Sequence, residues 1–440
     1  MKTVYAYRRW RRASLQEHAA LPAHTLDCPE CGKRVNVPRL LQGHTANCPR
    51  CGHMLVRVEG NPFWAPLAYA SASLIVMAFA YTMMYVTVSL AGVTSILTLP
   101  EMMRQLIVQD FGFLAEVMFV LTFGSPLLFL LLGIYVYTAL VWEKPFPGLL
   151  YATRVLVRLR HVIMVDVFFI STLVAYIKLD TVSVVVFGEA FYLMPVLAVL
   201  LLRTSVSMPQ HWVYYQIHRI LGHSAVQTAS DNRICCSRCL YFRDESEDDC
   251  GVCGVDLYRR RPKSLSLSLA FLIAAFLLYF PANFFPIMIS SNPTALEINT
   301  ILNGIVYMWE DGDRLIAVII FSASVVVPVA KIAAMLVLIW SAYFSPPLPA
   351  AKMTLMYRIT ESIGRWSMID IFVIIILMSA FHTHTARVVP GEASVYFCLV
   401  VVLTMLSAYF FDPRLIWDKQ KSLQTGRQQA GHDADTEQAV

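Results

Sequence analysis

Eight runs of apolar residues, at about 66–84, 114–141, 162–178, 188–203, 265–288, 315–342, 367–382 and 394–411, punctuate this chain of 440 residues. A run of about 20 apolar residues is what an α-helix needs to cross the hydrocarbon of a bilayer, where no backbone polar group can be left unpaired. The pattern therefore predicts an all-α membrane protein with eight spans, the fourth and seventh being the shortest. Composition agrees, with 57% hydrophobic residues against 15% charged ones, a balance outside that of soluble domains. The opening "MKTVYAYRRWRRAS" is basic but lacks an apolar core and a small-residue cleavage site, so it does not read as a cleaved signal peptide.

Lysine and arginine fix the expected orientation, because positively charged loops stay in the cytoplasm. The segments 1–65, 143–160, 203–264, 345–366 and 412–440 hold 30 of the 35. Both termini and the central segment are thus expected to be cytoplasmic. Insertion alone requires this asymmetry, so the basic segments do not imply nucleic-acid binding.

The chain repeats itself. Cys48, Cys51 and Pro126 recur as Cys250, Cys253 and Pro328 at a shift of 202, and "MVDVF" at 164–168 recurs as "MIDIF" at 368–372 at a shift of 204. Each half reads as a cysteine module followed by four helices, and an even number of spans gives both halves one orientation. The expected organisation is a basic segment 1–27, a cysteine module 28–58, a bundle 62–210, a second module 232–260, a second bundle 264–412 and a disordered tail 421–440. Between spans, "YVTVSL" (85–90) and "TVSVVVF" (181–187) alternate or run β-branched, which suits short strands of a small sheet outside the membrane.

The modules carry the clearest chemistry. Cys28 and Cys31 are followed by Cys48 and Cys51, and Cys236 and Cys239 by Cys250 and Cys253. Paired C-x-x-C knuckles present four soft thiolates to one point, the spacing of a zinc ribbon with a structural Zn2+ at its centre. Disulfides are disfavoured in the reducing cytoplasm. A c-type haem would need histidine directly after a pair, whereas Gly52 separates Cys51 from His53. Four protein ligands leave no open position for catalysis.

Ionisable residues inside spans point to function by default. Lys331 lies within the sixth span near Ser322 and Ser324, and its repeat position is Phe129. One reading joins Lys331, Ser324, Thr404 and the pair Lys178 and Asp180 into a polar relay that lines a cavity or carries protons. The other has Lys178 and Asp180 meeting water at the interface, and Lys331 snorkelling or pairing with a carboxylate. His382 and His384, the repeat positions of Lys178 and Asp180, read as interfacial. Asp166 and Asp370 occur in both halves and read as architecture, while Glu116 is a weaker functional candidate. Pro281 and Pro286 are expected inside the fifth span, where they would kink it. In a trial of the relay, Leu338 serves as a lipid-facing reference.

No phosphate-binding G-x-x-x-x-G-K loop, G-x-S-x-G elbow or H-E-x-x-H helix is present, so an enzyme is not expected. Taken together, "CPECG", "CPRCG", "LPANFFPIM", "GRWSMIDIF" and "FDPRLIWD" on a doubled plan resemble the paraquat-inducible protein A family, over roughly residues 28–418. The first half departs from the pattern, with "AYTMMYVTV" where the second has "PANFFPIMI". The resemblance implies a Gram-negative inner-membrane component that exchanges phospholipids with a periplasmic MCE-domain tunnel protein. It also implies bundles similar to tetraspanin or claudin four-helix units. A non-transporting membrane anchor for that partner is the alternative.

Overall fold

The computed structural model describes residues 18–90, 93–108, 112–160, 162–179, 184–222, 233–291, 296–310, 312, 314–344, 348–380 and 387–437. The duplication is visible element by element. In the first half a helix, Trp64–Thr82, leads into a hairpin, Val86–Leu90 and Val93–Leu97, then a short helix, Leu99–Val108, and a long one, Gly112–Trp142. Helices Leu149–Leu159 and Val165–Leu179, strand Val184–Phe187 and helices Glu189–Ser207 and Gln210–Ile220 follow. The second half repeats the series from helix Ser264–Phe284 through strands Met288–Ser291 and Leu296–Asn299, helix Ile301–Glu310, a long helix over 314–343, helices Ala350–Trp366 and Ile369–Ala380, strand Arg387–Pro390, and helices Ala393–Phe410 and Arg414–Glu437.

Six of these helices are long and apolar enough to cross a membrane: Trp64–Thr82, Gly112–Trp142, Glu189–Ser207, Ser264–Phe284, Ser324–Tyr343 and Ala393–Phe410. Glu189–Ser207, expected among the shortest, has a full 19 residues. The third apolar helix of each half is instead the short one, at 15 residues for Val165–Leu179 and 12 for Ile369–Ala380. At 1.5 Å per residue these reach only about 18–23 Å, less than the roughly 30 Å hydrocarbon thickness. Asp166 lies in the first turn of Val165–Leu179, where a carboxylate suits the positive end of the helix dipole. The backbone of Asp370 occupies the same place in its helix.

The expected strands form over Val86–Leu90 and Val184–Phe187, with 181–183 outside the described residues, and each half builds an antiparallel three-stranded sheet with the first strand in the middle. Val86 faces Leu97 on one side and Phe187 on the other, and Met288 faces Asn299 and Pro390 in the same way. A glycine then turns each third strand into the next helix. A Cβ on Gly188 would lie 2.1 Å from the Met84 carbonyl oxygen, and one on Gly391 would lie 1.8 Å from that of Pro286. Those carbonyls accept from Ala190 N at 3.0 Å and Ala393 N at 3.3 Å, so only glycine lets strand and helix ends come this close.

Both long helices pass through a π-helical stretch, Phe119–Gly124 and Ser322–Val326, just before the repeated prolines Pro126 and Pro328. Proline has no N–H and its ring displaces the carbonyl four residues back, so a widened turn accommodates it without breaking the helix. Pro281 lies inside its helix, but Pro286 does not: that helix ends at Phe284, because a residue before proline is pushed out of the helical region. Small hydroxyls tie the first and fourth helices of each bundle. Ser73 Oγ meets Thr204 Oγ1 at 3.3 Å, and Ser268 and Ser407 exchange bonds with each other's carbonyls at 2.9 and 2.8 Å.

Contacts divide the chain into two units that do not follow the repeat. One comprises residues 1–80, 120–165 and 192–259, and so contains both cysteine modules. The other comprises 81–119, 166–191 and 260–440, with both sheets and both short apolar helices. In this second unit the repeat-related Phe168 and Phe372 meet edge to face, 5.4 Å between ring centres. The segment after Lys421, expected to be disordered, continues as helix to Glu437. Its start is pinned by the buried Asp412 carboxylate, which accepts from Arg414 N, Nε and Nη2 at 3.1, 2.9 and 2.8 Å and from Arg261 N at 3.2 Å. The Gln, Ala and Lys residues beyond it are adequate helix formers, so a helix once nucleated propagates.

Candidate functional site

The four knuckles of the cysteine modules share one geometry. The first cysteine of each accepts, through its carbonyl, the N–H of the residue four on: Gly32 at 2.9 Å, Gly52 at 2.9 Å, Leu240 at 3.1 Å and Gly254 at 2.7 Å. Each of these residues is left-handed, with φ of 66°, 71°, 63° and 64°. Glycine supplies that conformation freely at three of them, and Leu240 adopts it despite its side chain. The turns bring four sulfurs together. Cys28 Sγ lies 3.6 Å from Cys51 Sγ and Cys31 Sγ 3.6 Å from Cys48 Sγ; in the second module the pairs Cys236 with Cys253 and Cys239 with Cys250 lie at 3.5 and 3.6 Å.

None of these cysteines is in a disulfide, and within each quartet all ligand atoms lie within 4.8 Å of one another. Tetrahedral metal–sulfur bonds of 2.3 Å would place sulfurs about 3.8 Å apart, so the donor set fits a tetrahedral metal ion. The thiols do not titrate alike. The hydrogen bond with Cys28 holds Cys31 down to about 5, whereas burial pushes Cys51 up to about 11. In the second quartet the hydrogen bond with Cys236 holds Cys250 low, and burial pushes Cys239 up. Some members of each quartet thus already favour thiolate, the form that binds metal. Cys235, directly before Cys236, sits outside the quartet, its Sγ 3.9 Å from the carbonyl oxygen of Asp27.

A histidine pair lies between the two modules. His24 and His211 stack with ring centres 5.0 Å apart, and His211 Nδ1 bonds the Cys239 carbonyl at 2.7 Å. Burial pushes His211 down to about 3 and lowers His24 as well, so both rings are neutral near pH 7.

In the second bundle, Lys331 is buried within the protein, 4% exposed, so it does not snorkel. Its Nζ donates to Thr404 Oγ1 at 2.9 Å and to Ser367 Oγ at 3.4 Å. Among the described residues its partners are therefore hydroxyls rather than a carboxylate. Ser324 is buried in the π-helical stretch of the same long helix, two turns before Lys331. The structure thus brings Lys331 and Thr404 together as the sequence predicted, and adds Ser367, which precedes helix Ile369–Ala380. Lys178 lies near the end of helix Val165–Leu179, with its side chain outside the described residues; Asp180, His382 and His384 lie outside them altogether. Glu116 is exposed rather than buried in the bundle. Leu338 is fully buried, so it does not face lipid.

The repeat would have revealed Ser367 in advance. At the shifts of 202 and 204, Lys331, Thr404 and Ser367 stand where the first half has Phe129, Leu200 and Ile163. All three polar members have an apolar counterpart, so the site is confined to one half.

A duplicated membrane protein with two cysteine quartets of metal-site geometry and, among the described residues, one buried lysine cluster is the class that fold and sites define. The model of the paraquat-inducible protein A family matches twice, over residues 64–218 and 265–421, and the chain belongs to that family. It is 34% identical over 412 residues to the intermembrane transport protein PqiA of Escherichia coli K12, covering 92% of this chain and 98% of that one. It is 26% identical over 415 residues to a probable intermembrane transport protein of Haemophilus influenzae, covering 91% and 98%. A further relative is the lipophilic envelope-spanning tunnel protein A of Escherichia coli K12, 26% identical over 401 residues and covering 90% and 91%. No solved structure matches the chain.

Proposed function

We propose that this chain is a non-enzymatic inner-membrane component of a lipid transport system, exchanging phospholipids with a periplasmic MCE-domain tunnel protein. Both termini and both ribbons face the cytoplasm, each quartet holds a structural Zn2+, and an ion gradient supplies the energy. The observation that carries this reading is Lys331, a buried cation satisfied by the Thr404 and Ser367 hydroxyls in one bundle only. A lone charge inside an apolar bundle is destabilising, and its retention in one of two otherwise parallel halves fits a role in handling a charged headgroup or a proton. The relatives' names, intermembrane transport and envelope-spanning tunnel, support the transport class. The relay extends from Lys331, Thr404 and Ser367 to Ser324, and to Lys178 and Asp180.

In-cell photocrosslinking tests it, with the probe at Ser324 and, as lipid-facing control, at Leu336, which is 52% exposed on the same helix. Phospholipid attached at Ser324 well above the control supports transport through the polar site. Labelling equal to or below the control rejects it and leaves a membrane anchor for the periplasmic partner.

A further inference from the structure

The second cysteine quartet does not stand on a core of its own. Its four cysteines share one buried cluster with Val157 of helix Leu149–Leu159 and Tyr214 of helix Gln210–Ile220, and Leu150 and Tyr215 pack against it. Both helices belong to the first half. The ribbon that precedes the second bundle in sequence therefore closes over helices that follow spans of the first.

Arg154 marks the contact. A Cβ added to Gly254 would sit 2.6 Å from Arg154 Cζ, 2.7 Å from Nη1 and 3.0 Å from Nε, so the guanidinium lies across the Cys250–Gly254 knuckle in space that any side chain there would need. Arg154 Nε is buried and makes no hydrogen bond among the described residues.

Four thiolates around a divalent ion leave a net charge of −2, and a buried net charge is stable only with compensation. Arginine carries a permanent charge and loses hydration more readily than lysine, which suits it to a half-buried place beside such a centre. We propose that Arg154 is a positioning residue that neutralises the metal-loaded second quartet, so that metal occupancy of the ribbon holds helix Leu149–Leu159 against it. The inference rests on the metal occupancy proposed above, not on lipid transport. With the metal removed, nothing fixes the four sulfurs at one point, and the Cys250–Gly254 knuckle that the guanidinium lies across loses its shape. The helix then parts from the ribbon. Arg238 belongs to the knuckle itself and moves with the ribbon, so it cannot make this link.

The full chain in lipid nanodiscs, loaded with zinc, provides the test. Elemental analysis first counts the metal; a chain without zinc overturns the metal reading itself. A chelator is then added, cysteine alkylation by N-ethylmaleimide is followed residue by residue, and hydrogen exchange is followed over residues 149–159. Arg154→Gln should speed alkylation of Cys250 and Cys253 about tenfold, the loss of one charge-assisted contact, and leave Cys28 and Cys31 unchanged. Arg154→Lys should retain most of the protection. Gly254→Ala should displace the guanidinium and act like Arg154→Gln. Gly52→Ala controls for backbone strain, because Gly52 has the same left-handed φ of 71° with nothing within 4 Å of the added Cβ. Exchange over 149–159 should rise on chelation in the natural chain and be high beforehand in Arg154→Gln. Alkylation rates unaltered by Arg154→Gln, equal effects of Gly254→Ala and Gly52→Ala, or a helix indifferent to chelation would each overturn the proposal.

Discussion

Lys331 is where residue chemistry and stability part company. Its ammonium is held by Thr404 Oγ1 at 2.9 Å and Ser367 Oγ at 3.4 Å, two groups that offset only part of the hydration it gives up. Replacing a buried, incompletely compensated charge by an apolar group of similar volume removes its desolvation cost, while the Thr404 hydroxyl keeps its bond to the Val401 carbonyl. Lys331→Met is therefore expected to leave the midpoint of thermal unfolding in detergent unchanged or raised, while phospholipid labelling at Ser324 falls to the control level. A clear drop in the midpoint would show that the lysine serves the fold instead. The sequence exposed this residue because a charge in an apolar run has few innocent explanations. It did not single out Ser367, which reads as an ordinary interfacial serine until it is set against Ile163 in the other half.

At the scale of elements, the π-helical stretch before Pro328 aims the residues around it. Pro328 cannot donate to the Ser324 carbonyl, and the widened turn absorbs that loss. Pro328→Ala restores the donor and allows a regular α-helix, which removes the extra residue of the bulge and turns Ser324 by about 100° relative to Lys331. The variant is expected to insert and accumulate normally, with lipid labelling at Ser324 reduced several-fold; undiminished labelling would mean that the bulge is only a scar of the proline. The membrane helices were legible because apolar runs and prolines act locally, and the cysteine knuckles because their ligands lie close in sequence. Helix ends were less so: Pro286 falls outside its span, and the tail beyond Lys421 is helical although its composition is that of a solvated segment. In the tail, the Asp412–Arg414 clamp starts a helix that local propensity alone would not nucleate.

For the whole molecule, the duplication has kept the architecture and divided the chemistry. Both halves build the same sheet, the same glycine closure and the same widened turn, yet Lys331, Thr404 and Ser367 correspond in the sequence repeat to Phe129, Leu200 and Ile163. Making the second half like the first, with Lys331→Phe, Thr404→Leu and Ser367→Ile together, is expected to give a protein that folds, binds two metal ions per chain and moves no lipid. A triple variant that still transports would place the working site elsewhere. No pattern along the chain indicated that the second ribbon joins the first bundle, because the contact between Arg154 and Gly254 is made by residues 100 positions apart with no motif at either end. That cross-connection also sets an order of events at the ribosome. Leu150 and Val157 leave the tunnel well before Cys250 and Cys253 exist, and at 5–20 residues per second the delay is roughly 5–20 s. During that interval the first bundle is already entering the membrane with an apolar helix face uncovered. Biosynthesis of this chain therefore has a vulnerable window, closed only when the second ribbon is complete.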